Sequence, residues 1–120
     1  MPITAKYVLI SQMDVEPGRE ALLNEVYDTE HLPALRKVPG VISVTRLQAE
    51  PLTLSVGGQT QPVVVEGAPK FTTIVEIDSP DVLVCDEWAA AVEFGRWPAQ
   101  VRPYTTNRRH TLHKVTEAGT

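Results

Sequence analysis

Tyr27-Asp28-Thr29-Glu30-His31-Leu32-Pro33 interrupts what otherwise reads as one long amphipathic helix. Residues four apart share a helix face, so Tyr27 and His31 point the same way. Glu30 falls on the same arc as Leu23 and Val26, away from the polar side. Pro33 comes next. Its ring clashes with the carbonyl of Thr29 and biases Leu32 away from helical angles. The spacing predicts a kink or break there, then a short second helical piece through Lys37, ended by Pro39-Gly40. Polar, titratable groups placed where packing favours leucine carry a cost, and such costs gather at functional sites.

Working outward, Tyr7 to Met13 is apolar and β-branched and reads as a strand. Asp14 to Gly18 forms the turn, with Pro17 suited to a first helical position and Glu16 and Glu20 near the positive end of the helix dipole. Downstream, Val41 to Leu47 alternates as a second strand. The segment 48–70 is long for a plain connection. Gly57-Gly58 lies between two β-prone runs in it, which signals a hairpin, and Pro62 makes the second arm weak or an edge. We read it as a protruding hairpin (a lid or dimer arm), with a variable surface loop as the alternative. Phe71 to Ile77 is the third strand. A second helix is expected from Ser79-Pro80 through Trp88 to about Phe94, with Ser79 as N-cap and Gly95 just past its end. After a proline-containing connector, Asn107 to Thr116 is the last strand.

The order β-α-β-β-α-β predicts an α+β, ferredoxin-like plait with an antiparallel four-stranded sheet, as one domain over residues 1–120. Helices cover one face. A symmetric second copy is the simplest cover for the other, because two open sheets pair into a barrel.

Composition narrows the function classes. The net charge is −4 and no basic stripe is present, which argues against nucleic acid as partner. Cys85 is the lone cysteine, so neither a disulfide framework nor a cysteine-based zinc site is available. We expect it to be a small apolar filler near the start of the second helix. No apolar run approaches a membrane span, and the N-terminus lacks a signal-peptide pattern, so a cytoplasmic location is expected. No glycine-rich phosphate loop, His-x3-His or Cys-x-x-Cys occurs, and no cofactor is expected.

These elements and motifs resemble the dimeric α/β-barrel superfamily, and within it the EthD-like and methylmuconolactone-isomerase-like proteins. The resemblance rests on Asp14-Val15-Glu16-Pro17-Gly18-Arg19-Glu20, Asn24, Tyr27 through Pro33, Val38-Pro39-Gly40-Val41 and Arg46, with weaker echoes at Glu76 and Asn107-Arg108. It spans nearly the whole chain apart from 48–70. It is more specific for fold than for reaction. It implies a homodimer with a small-molecule pocket in each subunit between sheet and helices. His31 is the first residue it carries over, since the pocket histidine of such proteins often aligns with the Glu-His-Leu-Pro position. The sequence departs at Val26, where many similar proteins have an aromatic residue, which reshapes the pocket.

Each candidate residue has two readings. His31 is a general acid or base, or it satisfies carbonyls freed by Pro33. Tyr27 holds a developing oxyanion, or packs in the core with its hydroxyl at the rim. Glu30, a candidate substrate-site residue, hydrogen-bonds the histidine and sets its tautomer, or pairs with a basic residue such as Arg46 or Arg108. Arg46 is a candidate substrate contact. Glu76, on the strand face of Thr72 and Ile74, is a pocket base or a solvent-facing residue. Trp88 and Trp97 wall the pocket or fill the core. In the last strand Arg108, His110 and Leu112 share one face, and Arg109, Thr111 and His113 the other.

The leading expectation is a cofactor-independent isomerase, cyclase or lyase acting on a small, mostly apolar, oxygenated molecule. His31 moves the proton and Tyr27 binds the oxyanion. The alternatives are a cofactor-free monooxygenase and a non-catalytic ligand-binding protein of the same fold.

Overall fold

Strict alternation in β5 (Phe71–Ile77) buries Phe71, Thr73, Val75 and Ile77 on one side and leaves Thr72, Ile74 and Glu76 half-buried on the other. This strand lies inside a four-stranded antiparallel sheet, seen in a computed structural model that describes residues 3–118. β1 (Tyr7–Val15) pairs with β5 on one side and with β6 (Thr105–Lys114) on the other. β2 (Val41–Gln48) closes the far edge, giving the order β2-β5-β1-β6. This is the ferredoxin-like α+β plait.

The helices cover one face of the sheet. α1 (Glu20–Val26) supplies Leu23 and Val26, and α2 (Leu32–Arg36) supplies Leu32 and Leu35. These pack with Val44, Phe71, Val75 and Ile77 into one core. No helix among the described residues is long and apolar enough to cross a membrane.

The expected break at Pro33 is absent. The chain instead passes from α1 to α2 through a π-helical turn, Tyr27–His31, in which the N–H of Leu32 donates to the carbonyl of Tyr27. The wider turn slips the hydrogen-bond register by one residue. Pro33, which has no N–H to contribute, is thereby carried without breaking the helix.

The second helix also differs from expectation. Pro80–Val84 is a separate 3-10 turn, and α3 (Asp86–Val92) begins only after extended Cys85. Ser79 makes no side-chain cap. The cap is Cys85, whose Sγ accepts from the N–H of Trp88 at 3.4 Å. The connector after α3 is ordered as a second π-helical turn, Trp97–Val101, and a 3-10 turn, Arg102–Tyr104.

Segment 48–70 contains a two-stranded hairpin, β3 (Leu52–Val56) and β4 (Gln59–Val63), separate from the main sheet. Gly57 and Gly58 have φ of +61° and +81°, the paired left-handed angles of a type I′ turn that only glycine adopts at no steric cost. Pro62 lies within β4, where the strand has no further neighbour and the missing N–H breaks no ladder.

Candidate active site

Between the helices and the sheet lies a largely apolar cavity of about 440 Å³. Leu9, Ser11 and Met13 of β1 form its floor with Thr73 and Val75 of β5. The two π turns and α3 form the opposite wall.

Three rings meet there. His31 stacks on Trp97 with centroids 4.5 Å apart and an interplanar angle of 26°. Tyr27 meets His31 edge-on at 5.1 Å and Trp97 at 5.0 Å. Two ordinary i, i+4 neighbours have thus become a cluster, because one π turn carries Tyr27 and His31 and the other carries Trp97.

His31 is 6% exposed, and its Nδ1 is the single buried side-chain polar atom without a hydrogen-bond partner among the described residues. It does not cap carbonyls freed by Pro33. Burial, and secondarily the charge of Arg102, depress its pKa from 6.5 to about 4. The ring is therefore a neutral imidazole at pH 7, buried in a wall of the cavity.

The Tyr27 hydroxyl donates to Met13 Sδ at 3.7 Å, a weak acceptor. Burial raises its pKa, partly offset by a hydrogen bond with Thr73 and by the charge of Arg46. Tyr27 therefore stays protonated, as a donor, throughout the neutral range.

Of the sequence candidates, the cavity brings together His31, Tyr27 and Trp88. It leaves three outside its lining. Glu30 turns to the far side of its helix turn. It accepts from the Arg96 backbone N–H at 2.8 Å and from Arg96 Nε at 2.6 Å, so its partner is Arg96 rather than Arg46 or Arg108. Hydrogen bonding to Arg96 holds its pKa below the usual carboxylate range. Arg46 sits behind Tyr27, bonded to Asp28 Oδ1 at 2.8 Å and Asn24 Oδ1 at 2.5 Å, with its guanidinium 5.1 Å from the Tyr27 ring centroid. Glu76 is on the opposite sheet face. There it accepts from Ser43 Oγ at 2.5 Å and from the Thr4 N–H at 3.1 Å, and the Ser43 bond leads the lowering of its pKa.

Five further lining residues carry chemistry: Ser11, Thr73, Arg102, Arg108 and His110. Ser11 and Thr73 had a legible signal, because each is a small polar residue in phase with the buried positions of its strand. Arg102, bonded to the Val92 carbonyl at 2.8 Å and paired with Glu93, lies in an irregular connector whose pattern gave none. Among the described residues no group of three or more His, Cys, Asp or Glu side chains is placed to share a metal ion.

No protein-family model matches the sequence, and no curated protein matches it significantly. Solved structures do match. The heme-degrader MhuD from Mycobacterium tuberculosis superposes with a TM-score of 0.61 at 16% identity, covering 92% of this chain and 96% of that one. An EthD family protein from Bacillus halodurans gives 0.56 at 16% identity, over 97% and 100% of the two chains. SnoaB, a cofactor-independent oxygenase from Streptomyces nogalater, gives 0.56 at 14% identity, over 94% and 96%. The chain shares the ferredoxin-like α+β fold of these proteins. At these identities the likeness concerns the fold alone.

Proposed function

We propose that this protein is a cofactor-independent enzyme that moves a proton on a small, mostly apolar, oxygenated molecule bound in the sheet–helix cavity. The observation that carries this reading is a neutral His31, its buried Nδ1 without a partner, lining the cavity beside a protonated Tyr27. A buried nitrogen without a partner is costly in a native structure unless a ligand or a reaction uses it.

In the proposed step the neutral His31 imidazole takes a proton from an acidic C–H next to a carbonyl. The bonding pair moves to the carbonyl oxygen, and the Tyr27 hydroxyl donates a hydrogen bond to the enolate. Return of the proton to another position completes an isomerisation; attack of the enolate on a second carbonyl completes a cyclisation. A base with a pKa of about 4 is weak, which restricts the substrate to strongly acidified C–H groups such as those of β-dicarbonyls. Trp97, stacked on His31, fixes the ring plane and keeps water off it.

A second reading is oxygenation of an activated phenol: His31 takes the phenol proton, dioxygen adds to a ring carbon of the phenolate, and the resulting hydroperoxide loses water to give the quinone. The fold likeness to a cofactor-independent oxygenase supports it. We also propose a homodimer in which a second copy covers the open sheet face bearing Thr72, Ile74 and Glu76; light scattering showing a monomer would count against this.

The test is deuterium exchange at the central carbon of a bicyclic aryl β-diketone, followed by NMR in the presence of the protein. Exchange that disappears in His31→Phe supports proton transfer. Equal exchange in both proteins would sink it and favour a binding protein. Oxygen uptake during the same incubation separates the oxygenase reading.

A further inference from the structure

The cavity is electropositive although the chain carries a net charge of −4. Its lining holds Arg102 and Arg108 against a single carboxylate, Glu93, and His31 adds no charge at neutral pH. Glu93 is already committed, paired with Arg102. Arg108 has no hydrogen-bond or ion-pair partner among the described residues, whereas its neighbour Arg109 bonds the Gly67 carbonyl at 3.1 Å.

The backbone around Arg108 is fixed on both sides. Gln12 pairs with Arg109 and Asp14 with Thr106, so Met13 faces two residues, Asn107 and Arg108, in a β-bulge. Asn107 has φ of +51°, and its side chain donates to Asp14 Oδ2 at 3.0 Å and to the Gly67 carbonyl at 2.7 Å. On the other side, His110 Nδ1 is 3.0 Å from Ser11 Oγ, and both groups line the same cavity. Bulges of this kind re-aim a side chain and are enriched beside binding sites. Here one delivers an uncommitted guanidinium to the cavity rim, across from the aromatic wall.

We propose that the β6 rim is an anion subsite: Arg108, with the Ser11–His110 pair beside it, binds a carboxylate carried by a planar aromatic ligand whose body lies against Trp88 and Trp97. This rests on the proposed function for its choice of cavity and extends it to the charge and shape of the substrate. Arg108 is the specificity-determining residue, and His31 lies at the deeper end.

Because Trp88 and Trp97 both line the cavity, their fluorescence reports occupancy directly. Titration with naphthoate and with naphthamide compares a carboxylate with its neutral isostere. The expected result is that naphthoate binds about tenfold more tightly, and that added salt weakens naphthoate alone. Arg108→Gln should remove most of that preference and leave naphthamide unchanged, while Arg108→Lys keeps part of it. Arg109→Gln, on the opposite face, should behave as the unaltered protein. Equal affinity for the two probes, an unaltered preference in Arg108→Gln, or no saturable quenching by either probe would overturn the proposal. None of these readouts needs turnover. Naphthoate preference without His31-dependent exchange would refute the proton-transfer reading alone, and exchange without the preference would refute the anion subsite alone.

Discussion

Lowering the pH should destabilise this protein through His31, and the size of the effect follows from its burial. The ring titrates at 6.5 when unfolded and at about 4 when folded, because the charged form loses its hydration in the cavity wall. Between these values the unfolded chain binds more protons, so stability is complete above pH 6.5 and is lost as pH falls towards 4. At roughly 1.4 kcal/mol per pH unit the full loss is about 3 kcal/mol, and about 2 kcal/mol of it is spent by pH 5. That is a large share of a typical domain's margin of ~5–15 kcal/mol. The perturbation is His31→Phe, which keeps a ring stacked on Trp97 and removes the titration. Urea unfolding followed by tryptophan fluorescence at pH 7 and pH 5 gives the comparison. The unaltered protein should lose about 2 kcal/mol more than the variant between the two. Carboxylates such as Glu30 and Glu76 titrate lower and are common to both proteins, so they cancel. Removing the secondary cause with Arg102→Gln should raise the His31 pKa, by less than full exposure would. Equal pH dependence in the two proteins, or a His31 NMR titration centred near 6.5, would refute the burial argument and the neutral-base reading built on it.

Three further outcomes follow from the geometry. In activity, the acid limb should lie at about pH 4 rather than near 6.5, with a flat rate through neutrality, as measured by the pH profile of deuterium exchange. Tyr27→Phe should lower kcat by about 10²-fold, the usual loss for one oxyanion donor, with a modest fall in Tm from losing the Thr73 hydrogen bond and a weak one to a thioether. Gly95→Ala should lower Tm and shift Trp97 emission: Gly95 has φ of +68°, and a Cβ there would come within 2.3 Å of Glu30 Oε1, breaking the clamp between the two π turns.

The central strand β5 was readable because it buries one face, and alternation encodes that burial directly; β6, which buries no residue, was readable from its run of β-prone residues alone. The glycine pair also announced its hairpin through the backbone angles it permits. Helix boundaries were harder. Ser79-Pro80 carries every sign of a helix start, yet Pro80–Val84 winds as a 3-10 turn and Cys85 caps the helix through sulfur. The two starts compete locally, and Val82 in the 3-10 turn is buried close against Gly40, a contact that local propensity does not encode. At the site, Tyr27 and His31 were legible as polar residues on an apolar helix arc. Their contact with Trp97 was not, because it joins positions nearly seventy residues apart through a turn type that local propensity does not specify. Arg108 was legible as a strand residue, but its freedom from partners appears only once Asn107 is seen to hold the bulge.

The origin of the first π turn can be separated from its use. If Pro33 alone imposes the turn, Pro33→Ala should restore an α-helix, and one residue of register would rotate His31 by about 100° out of the cavity. Tertiary contacts argue otherwise. Glu30 is tied to Arg96 by its backbone and side chain, and His31 is stacked on Trp97, so successive residues of the turn are anchored to one distant segment. An α-register would break both sets of contacts to gain one helical hydrogen bond, worth about 1 kcal/mol net. We therefore expect Pro33→Ala to leave the π turn in place and His31 titrating near 4, with unchanged exchange activity. A His31 pKa that climbs towards 6.5 in this variant, with loss of exchange, would show that the proline, and not the packing of the two turns, holds the catalytic ring.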